Sequence, residues 1–244
     1  MTTINTFTST GFEWLNHPKE WASNRGDGET EGSGGDFTIS SDRMTLKPPA
    51  FKDFWARTFY TPLLIKHDAS AYVYTIPAED ESTVAIDFQY TPKTQFDQAG
   101  LMVYIDNSHW LKCGIEYCDG TPRLSVVVCN VFSDWSTQPW SSCGARLRLH
   151  KVIQSSSVVV EAAPLGSEDF QFIRIAHLSA KSTHIGDDLS AEEVTGSHDE
   201  KPWRIGPFAA CPNAQKGCVA DFSALSIGPR VKCVHDDDVS HMVS

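Results

Sequence analysis

The clearest alternation of apolar and polar positions in the chain lies between residues 97 and 136, DQAGLMVYIDNSHWLKCGIEYCDGTPRLSVVVCNVFSDWS. Within it, residues 110–117 place Leu111, Cys113, Ile115 and Tyr117 on one parity and Trp110, Lys112, Gly114 and Glu116 on the other. A strand sends alternate side chains to opposite faces, so this segment has one apolar face and one face carrying an indole and two opposite charges. Residues 83–90 alternate as cleanly, with Val84, Ile86, Phe88 and Tyr90 against Ala85, Asp87 and Gln89. Further strand patterns fall at 37–46, 71–76, 100–105, 124–130, 146–150, 157–162, 170–177 and 218–227. Turn residues separate most of them: Lys47-Pro48-Pro49, Asp106-Asn107, Asp119-Gly120 and Pro164-Leu165-Gly166. The Asp119-Gly120 pair between two strong strands predicts a hairpin.

Helical periodicity is almost absent. Many short strands joined by turns predict an all-β fold, an antiparallel sandwich or jelly roll with loop insertions. The expected organisation is a flexible N-terminus over 1–11, one domain over 12–230, and a polar tail over 231–244. The Gly- and acid-rich stretch 23–36 reads as a loop, and the acidic stretch 181–201 as an insertion.

Composition narrows the partners. A formal net charge of −11 and the lack of any Lys/Arg run argue against nucleic acid or an anionic membrane surface, both of which need a basic footprint. The first residues, MTTINTFTSTGFEWLN, carry no basic start and no apolar core, so no secretory signal is expected there, and no apolar run approaches a membrane span. Seven cysteines at scattered spacings, with no CxxC pair, read as reduced thiols in a cytoplasmic protein without a structural zinc. No cofactor is expected. Clustered oxygen ligands for calcium are offered only by Asp27, Glu29, Glu31 and Asp36, at no recognised spacing, and the His/Asp tail at 235–241 reads as a solvated terminus.

Several short motifs in order carry a resemblance. They are Trp14-Leu15-Asn16 with Pro18 and Trp21, Asp53-Phe54-Trp55, Asp97-Gln98-Ala99-Gly100-Leu101, and Trp110-Leu111-Lys112 with Gly114-Ile115-Glu116. Ser133-Asp134-Trp135-Ser136, Gly206-Pro207, Cys211-Pro212 and Ala220-Asp221-Phe222 complete the set. Over residues 12–228 the chain resembles the DUF1349 family. That resemblance implies a concanavalin A-like lectin/glucanase sandwich. It also implies kinship with fungal proteins named for regulation of enolase, and so enolase as a protein partner.

Two functional readings follow. Retaining glucanases on such a sandwich use a Glu-x-Asp-x-x-Glu strand, whose carboxyl pair must flank the scissile bond at about 5–5.5 Å. This chain has no such hexapeptide, and Glu116 and Asp87 are left as weak catalytic candidates. The other reading is non-catalytic recognition of a carbohydrate-like ligand or a protein. Trp55, Arg57, Gln89, Gln98, Trp110, Lys112, Glu116, Asp134 and Trp135 would supply rings to stack on apolar C–H faces and polar groups to bond hydroxyls. Each also has a structural reading: Trp14, Trp21 and Trp55 as seals at the sandwich edge, Lys112–Glu116 as an ordinary ion pair. Asp97 is expected to bond backbone amides at its turn, with Gly100 supplying a permissive φ.

Overall fold

The computed structural model describes residues 2–20, 34–180, 201–213, 217–234 and 236. Trp21, Asp27, Glu29, Glu31, the stretch 181–200, His235 and His241 lie outside the described residues. Two seven-stranded antiparallel sheets face each other. The front sheet runs β1 (Phe12–Leu15), β6 (Ser70–Ile76), β15 (Trp203–Ala210), β8 (Gln98–Asp106), β9 (His109–Cys118), β10 (Thr121–Asn130), β11 (Phe132–Pro139). The back sheet runs β14 (Gln171–His177), β13 (Ser157–Ala163), β12 (Gly144–Val152), β7 (Ser82–Thr91), β16 (Val219–Pro229), β3 (Arg43–Lys47), β2 (Asp36–Ile39). A short hairpin, β4 (Phe54–Ala56) with β5 (Ile65–His67), stands apart. This is the all-β sandwich that the alternation predicts.

Differences from the pattern have local causes. The stretch 37–46 is a hairpin rather than one strand, because Ser40 and Asp42 turn the chain: Arg43 N donates to Ser40 Oγ and Ser40 Oγ to Asp42 Oδ1. β15 carries Gly206-Pro207 in its middle. It stays paired to β8 there but skips two partners on β6, which conceals a central strand from pattern reading. β11 is polar because it is an edge strand. In the segment before β1, Ile4 and Ile227 exchange both backbone hydrogen bonds, and Phe7 is fully buried. Trp14 does seal one edge, packing 4.7 Å from Phe37 of the back sheet and 4.9 Å from Tyr72 of the front.

Apolar side chains between the sheets form the main core, with Leu111, Cys113 and Ile115 facing Val84, Ile86, Phe88, Leu147 and Leu149. A second core lies on the outer side of the front sheet. There Trp110, Met102, Val127, Cys129 and Phe208 pack under Phe54, Trp55, Ala56 and Ala69 of the β4–β5 segment. β9 is therefore buried on both faces, and its charged parity is not solvated. The glycines of that parity have a steric reason. Gly100 and Gly114 are directly opposed on β8 and β9, and a Cβ on either would lie 2.0 Å from the carbonyl oxygen across the ladder. The expected positive φ at Gly100 is not found; close approach, not turn geometry, requires it.

Trp110 has no exposed surface and meets Phe54 edge-on at 5.6 Å. It is a pillar of this second core, so Trp110→Ala is expected to cost about 3–5 kcal/mol of stability, read as a lower urea midpoint. A midpoint within experimental error of the parent would show that the hairpin does not rest on that ring.

Candidate functional site

The site grows from one row of side chains across the front sheet. The ladder registers Met102 with Lys112, Lys112 with Val127 and Val127 with Trp135, while Gln98 faces Glu116 two rungs along on that side, past the Gly100–Gly114 rung. Lys112 and Glu116 lie four residues apart on one face of β9, with Gly114 between them on that face. The β4–β5 segment then folds over them and brings Asp53.

Burial makes the charges pair. Lys112 is 3% exposed, and its Nζ donates to Asp53 Oδ1 at 2.8 Å. The same oxygen accepts the Phe54 backbone N–H at 2.8 Å and Gln98 Nε2 at 3.3 Å. Gln98 also donates to Phe96 O, fixing its amide. Asp53 is held from behind: its N–H donates to Asp68 Oδ1 and its carbonyl accepts from Asp68 and Ala69. Asn16 reaches over from the β1 turn, donating to His67 O and Ala69 O.

Glu116 sits beside this pair, 6% exposed. Ser125 Oγ donates to its Oε2 at 2.8 Å, and Trp135 Nε1 donates to Ser125 Oγ at 2.9 Å. Burial pushes the Glu116 carboxyl up to about 7, further than Lys112, Ser125 and Trp135 pull it down; the Asp53 charge adds to the rise. Tyr60 feels the same environment, its phenol raised first by burial and then by the Asp53 and Glu116 charges.

Above these groups is a cleft of ≈ 110 Å³. Its polar floor is Asp53, Lys112 and Glu116, and its walls are aromatic: Trp55, Tyr60, Phe96 and Trp135. Trp55 meets Trp135 at 6.3 Å and Tyr60 at 5.5 Å, both nearly perpendicular. Leu64, Pro212 and Asn213 close the remaining side. Beneath the floor, where Gly100 and Gly114 leave no side chains, a hollow of ≈ 10 Å³ is bounded by Gln98, Lys112, Glu116 and Ser125. The loop joining β4 to β5 is held in left-handed backbone at Arg57 (φ 67) and Phe59 (φ 72). Arg57 N–H donates to Leu64 O, and its guanidinium to Val131 O at 2.7 Å. Such conformations cost on the order of 1–3 kcal/mol each, so these ties are what keep the loop over the cleft.

The structure thus brings together Trp55, Gln98, Lys112, Glu116 and Trp135. Five other expected residues lie elsewhere. Trp110 is core. Arg57 is a tether for the loop. Gln89 and Asp87 are on β7 in the back sheet, where Asp87 takes Arg146 through both oxygens at 2.6 and 3.1 Å. A carboxylate pair of Asp87 with Glu116 is therefore excluded by the sandwich between them. Asp134 points away from the cleft and pairs with Arg174 of β14 at 3.0 Å. Asp97 does bond turn amides, those of Lys93 (2.7 Å) and Thr94 (3.0 Å). Its carboxylate also lies within 4.8 Å of the Cys211 and Cys218 thiols, the group among the described residues whose ligand atoms could meet at one ion. None of the seven cysteines is in a disulfide.

The residues missed are Asp53, Tyr60, Phe96 and Ser125. Asp53 had a signal: a strand lysine with an apolar neighbourhood on both faces needs a counter-charge, and Asp53 stands in a short motif with Trp55.

The description "Protein of unknown function (DUF1349)" matches residues 33–230. The chain belongs to the DUF1349 family. Within reach of that family it is 28% identical over 233 residues to "Regulation of enolase protein 1" of Saccharomyces cerevisiae, covering 95% of this chain and 96% of that one. It is 27% identical over 192 residues to an uncharacterized protein of Emericella nidulans, covering 75% and 85%. Among solved structures, a functionally unknown protein from Saccharomyces cerevisiae superposes with a TM-score of 0.70 at 24% identity, over 91% of this chain and 98% of that one. A xylan beta-1,4-xylosidase from Bacillus halodurans superposes at 0.53 with 14% identity, over 74% of this chain and 32% of that one. At such identities the likeness is one of fold.

The raised Glu116 carboxyl is directly measurable. Its folded pKa of about 7 lies above the ordinary 4.5, so the folded state binds the extra proton between those values. Stability attributable to this group is therefore present at low pH and lost as pH rises towards 7. Trp135 fluorescence should titrate with a midpoint near 7 in the parent and lose that transition in Glu116→Gln. A transition that persists in the Gln variant would assign it to another group.

Proposed function

We propose that this DUF1349 protein is a non-catalytic binding and regulatory protein whose front cleft takes one neutral, polyhydroxylated ring of the monosaccharide type. The observation that carries the reading is a polar floor between aromatic walls. A sugar ring presents apolar C–H faces to indole and phenol rings and hydroxyls at its rim, and the cleft offers the complement of both. An ammonium has three N–H groups, and Asp53 takes one of Lys112's among the described residues. Vicinal hydroxyls could therefore accept from Lys112 and bond Glu116, whose carboxyl burial pushes up to about 7. Because Asp53 neutralises Lys112, a phosphorylated or carboxylated ring gains no net attraction. At ≈ 110 Å³ the cleft is well below the roughly 300–1,000 Å³ of drug-sized sites, which favours a single ring over a chain.

The regulatory half of the proposal leans on the name of the yeast relative: enolase is the protein partner to test, with a role in carbohydrate metabolism, in the cytoplasm. Seven cysteines outside disulfides suit a reducing compartment.

One observation supports a second reading. Glu116, with its pKa raised, and Asp53, a carboxylate held by an ammonium, share one cleft, and paired carboxyl groups in differing environments are how glycosidases divide acid and nucleophile. Hydrolase or lyase action on a glycan through this pair is the alternative.

Calorimetry against a panel of neutral monosaccharides and their phosphates separates these readings. A neutral sugar should bind without being consumed, and Trp135→Ala and Glu116→Gln should each weaken it at least about tenfold, or about 1.4 kcal/mol. Binding that neither substitution alters would move the ligand elsewhere. Release of reducing ends from a glycan panel, abolished in Glu116→Gln, would establish the hydrolytic reading instead.

A further inference from the structure

Three groups that ligate metals converge from both sheets. Asp97 immediately precedes β8, Cys211 follows β15, and Cys218 immediately precedes β16, so two come from the front sheet and one from the back. A carboxylate oxygen and both sulfurs lie within 4.8 Å of one another, and none of the three residues has exposed surface. Two of them are fixed from outside the cluster. The Lys93 and Thr94 backbone N–H groups donate to Asp97 Oδ2 at 2.7 and 3.0 Å, and Thr94 Oγ1 donates to Oδ1 at 3.2 Å. Cys211 is bridged through its backbone to Ala50 and Lys52. Gly217 lets the chain pass close by, since a Cβ there would stand 3.1 Å from Cys211 Sγ and 3.0 Å from Pro48 O.

The cluster holds a negative charge and no cation. Among the described residues the Asp97 carboxylate bonds only neutral donors, and a carboxylate without exposed surface gains from a counter-charge. The thiol hydrogens are weakly used: that of Cys211 faces Cys218 Sγ at 3.3 Å, and that of Cys218 faces Ala210 O at 3.8 Å. Replacing them forfeits little. The Cys218 N–H donates to Cys211 Sγ at 3.0 Å, a bond that favours the thiolate. Distance then separates the two fates open to paired thiols. Tetrahedral zinc sets two sulfurs about 3.8 Å apart and each sulfur about 3.5 Å from a carboxylate oxygen, given Zn–S of about 2.3 Å and Zn–O of about 2.0 Å. From 3.3 Å the sulfurs need open by only about half an ångström to take that bite. A disulfide, at about 2.05 Å, would have them close by more than twice as much.

We propose that Asp97, Cys211 and Cys218 bind one zinc-class dication, which clamps both ends of the β15–β16 connection to the start of β8. The ion displaces the two thiol hydrogens as protons, so two thiolates and one carboxylate then face it. A mixed sulfur and oxygen set suits zinc better than copper(I), which prefers sulfur, or calcium and magnesium, which prefer oxygen. Three protein ligands leave one coordination position for a water or another small ligand. Burial first, then Cys218 and the Asp97 charge, hold the Cys211 thiol above its ordinary value, so the cation competes with protons for the sulfur. No sequence motif announces the set, because six residues separate the cysteines and Asp97 stands more than a hundred positions before them. The clamp is independent of the sugar reading, although its chain neighbours Gln98 and Pro212 lie at the floor and wall of the front cleft.

Cobalt(II), which reports its ligands by colour, tests this on the full chain kept reduced with a phosphine. The unmodified protein should take up one cobalt per chain with thiolate-to-cobalt charge-transfer absorption, and zinc should bleach it. Cys218→Ser should weaken binding at least about tenfold and remove about half of that absorption. Asp97→Asn keeps an acceptor for the turn amides but loses the charge. It should weaken binding about tenfold or more and leave the absorption per bound cobalt intact. Cys233→Ser, beside the His/Asp tail, should change neither quantity. No charge-transfer absorption in the unmodified protein would overturn the site. So would absorption undiminished in Cys218→Ser, full affinity in Asp97→Asn, or absorption lost in Cys233→Ser.

Discussion

A lysine ammonium at 3% exposure organises the front half of this molecule. An unpaired charge in that position would cost several kcal/mol, and removing one partner of such a buried pair typically costs about 3–5 kcal/mol. Lys112 therefore needs Asp53, and Asp53 comes from a segment almost sixty residues earlier that would otherwise have no reason to lie on the sheet. Everything that segment carries arrives with it: Phe54 onto Trp110, Trp55 against Trp135, Tyr60 over the carboxyl groups. The ion pair, the second core and the cleft are one construction. Its cost is visible in Glu116, the charge left with a hydroxyl rather than a cation and so displaced towards its neutral form.

The two faces of the sandwich use buried charge differently. On the front, a carboxylate and an ammonium are pinned while a third group stays poised beside open space. On the back, Glu161 has its oxygens filled by Arg148, His150 and a backbone N–H, and the space above is filled by the chain itself. The first arrangement suits exchange of a ligand; the second suits attachment of a segment.

Much of the sandwich was legible in the sequence because period-two alternation is set by burial between the sheets. Residues 83–90 and 110–117 announce their strands for that reason. What alternation could not reveal was the cover on the front sheet. It shows Trp110, Lys112, Gly114 and Glu116 as one face, without saying that a distant hairpin buries Trp110 and leaves a cleft over Lys112 and Glu116. Trp110 and Trp135 are the same residue type on the same face; only the reach of the β4–β5 segment makes one core and the other wall. Asp87 and Gln89 looked equivalent to the cleft residues because parity within a strand says nothing about which sheet it joins. Gly206-Pro207 hid a central strand, and the polarity of β11 hid an edge.

The pairing of Arg174 with Asp134 and with Ser136 has a consequence for how the molecule meets its neighbours. β11 and β14 are edge strands of opposite sheets, and each would offer unpaired backbone to another chain. The arginine draws the two edges together, and Asn130 adds a bond to His177 O along the same seam. A β-sandwich commonly guards its open edges one at a time. Here a seam of side chains spans two at once, so a strand that added to either edge would meet charged and polar groups already engaged across the flank.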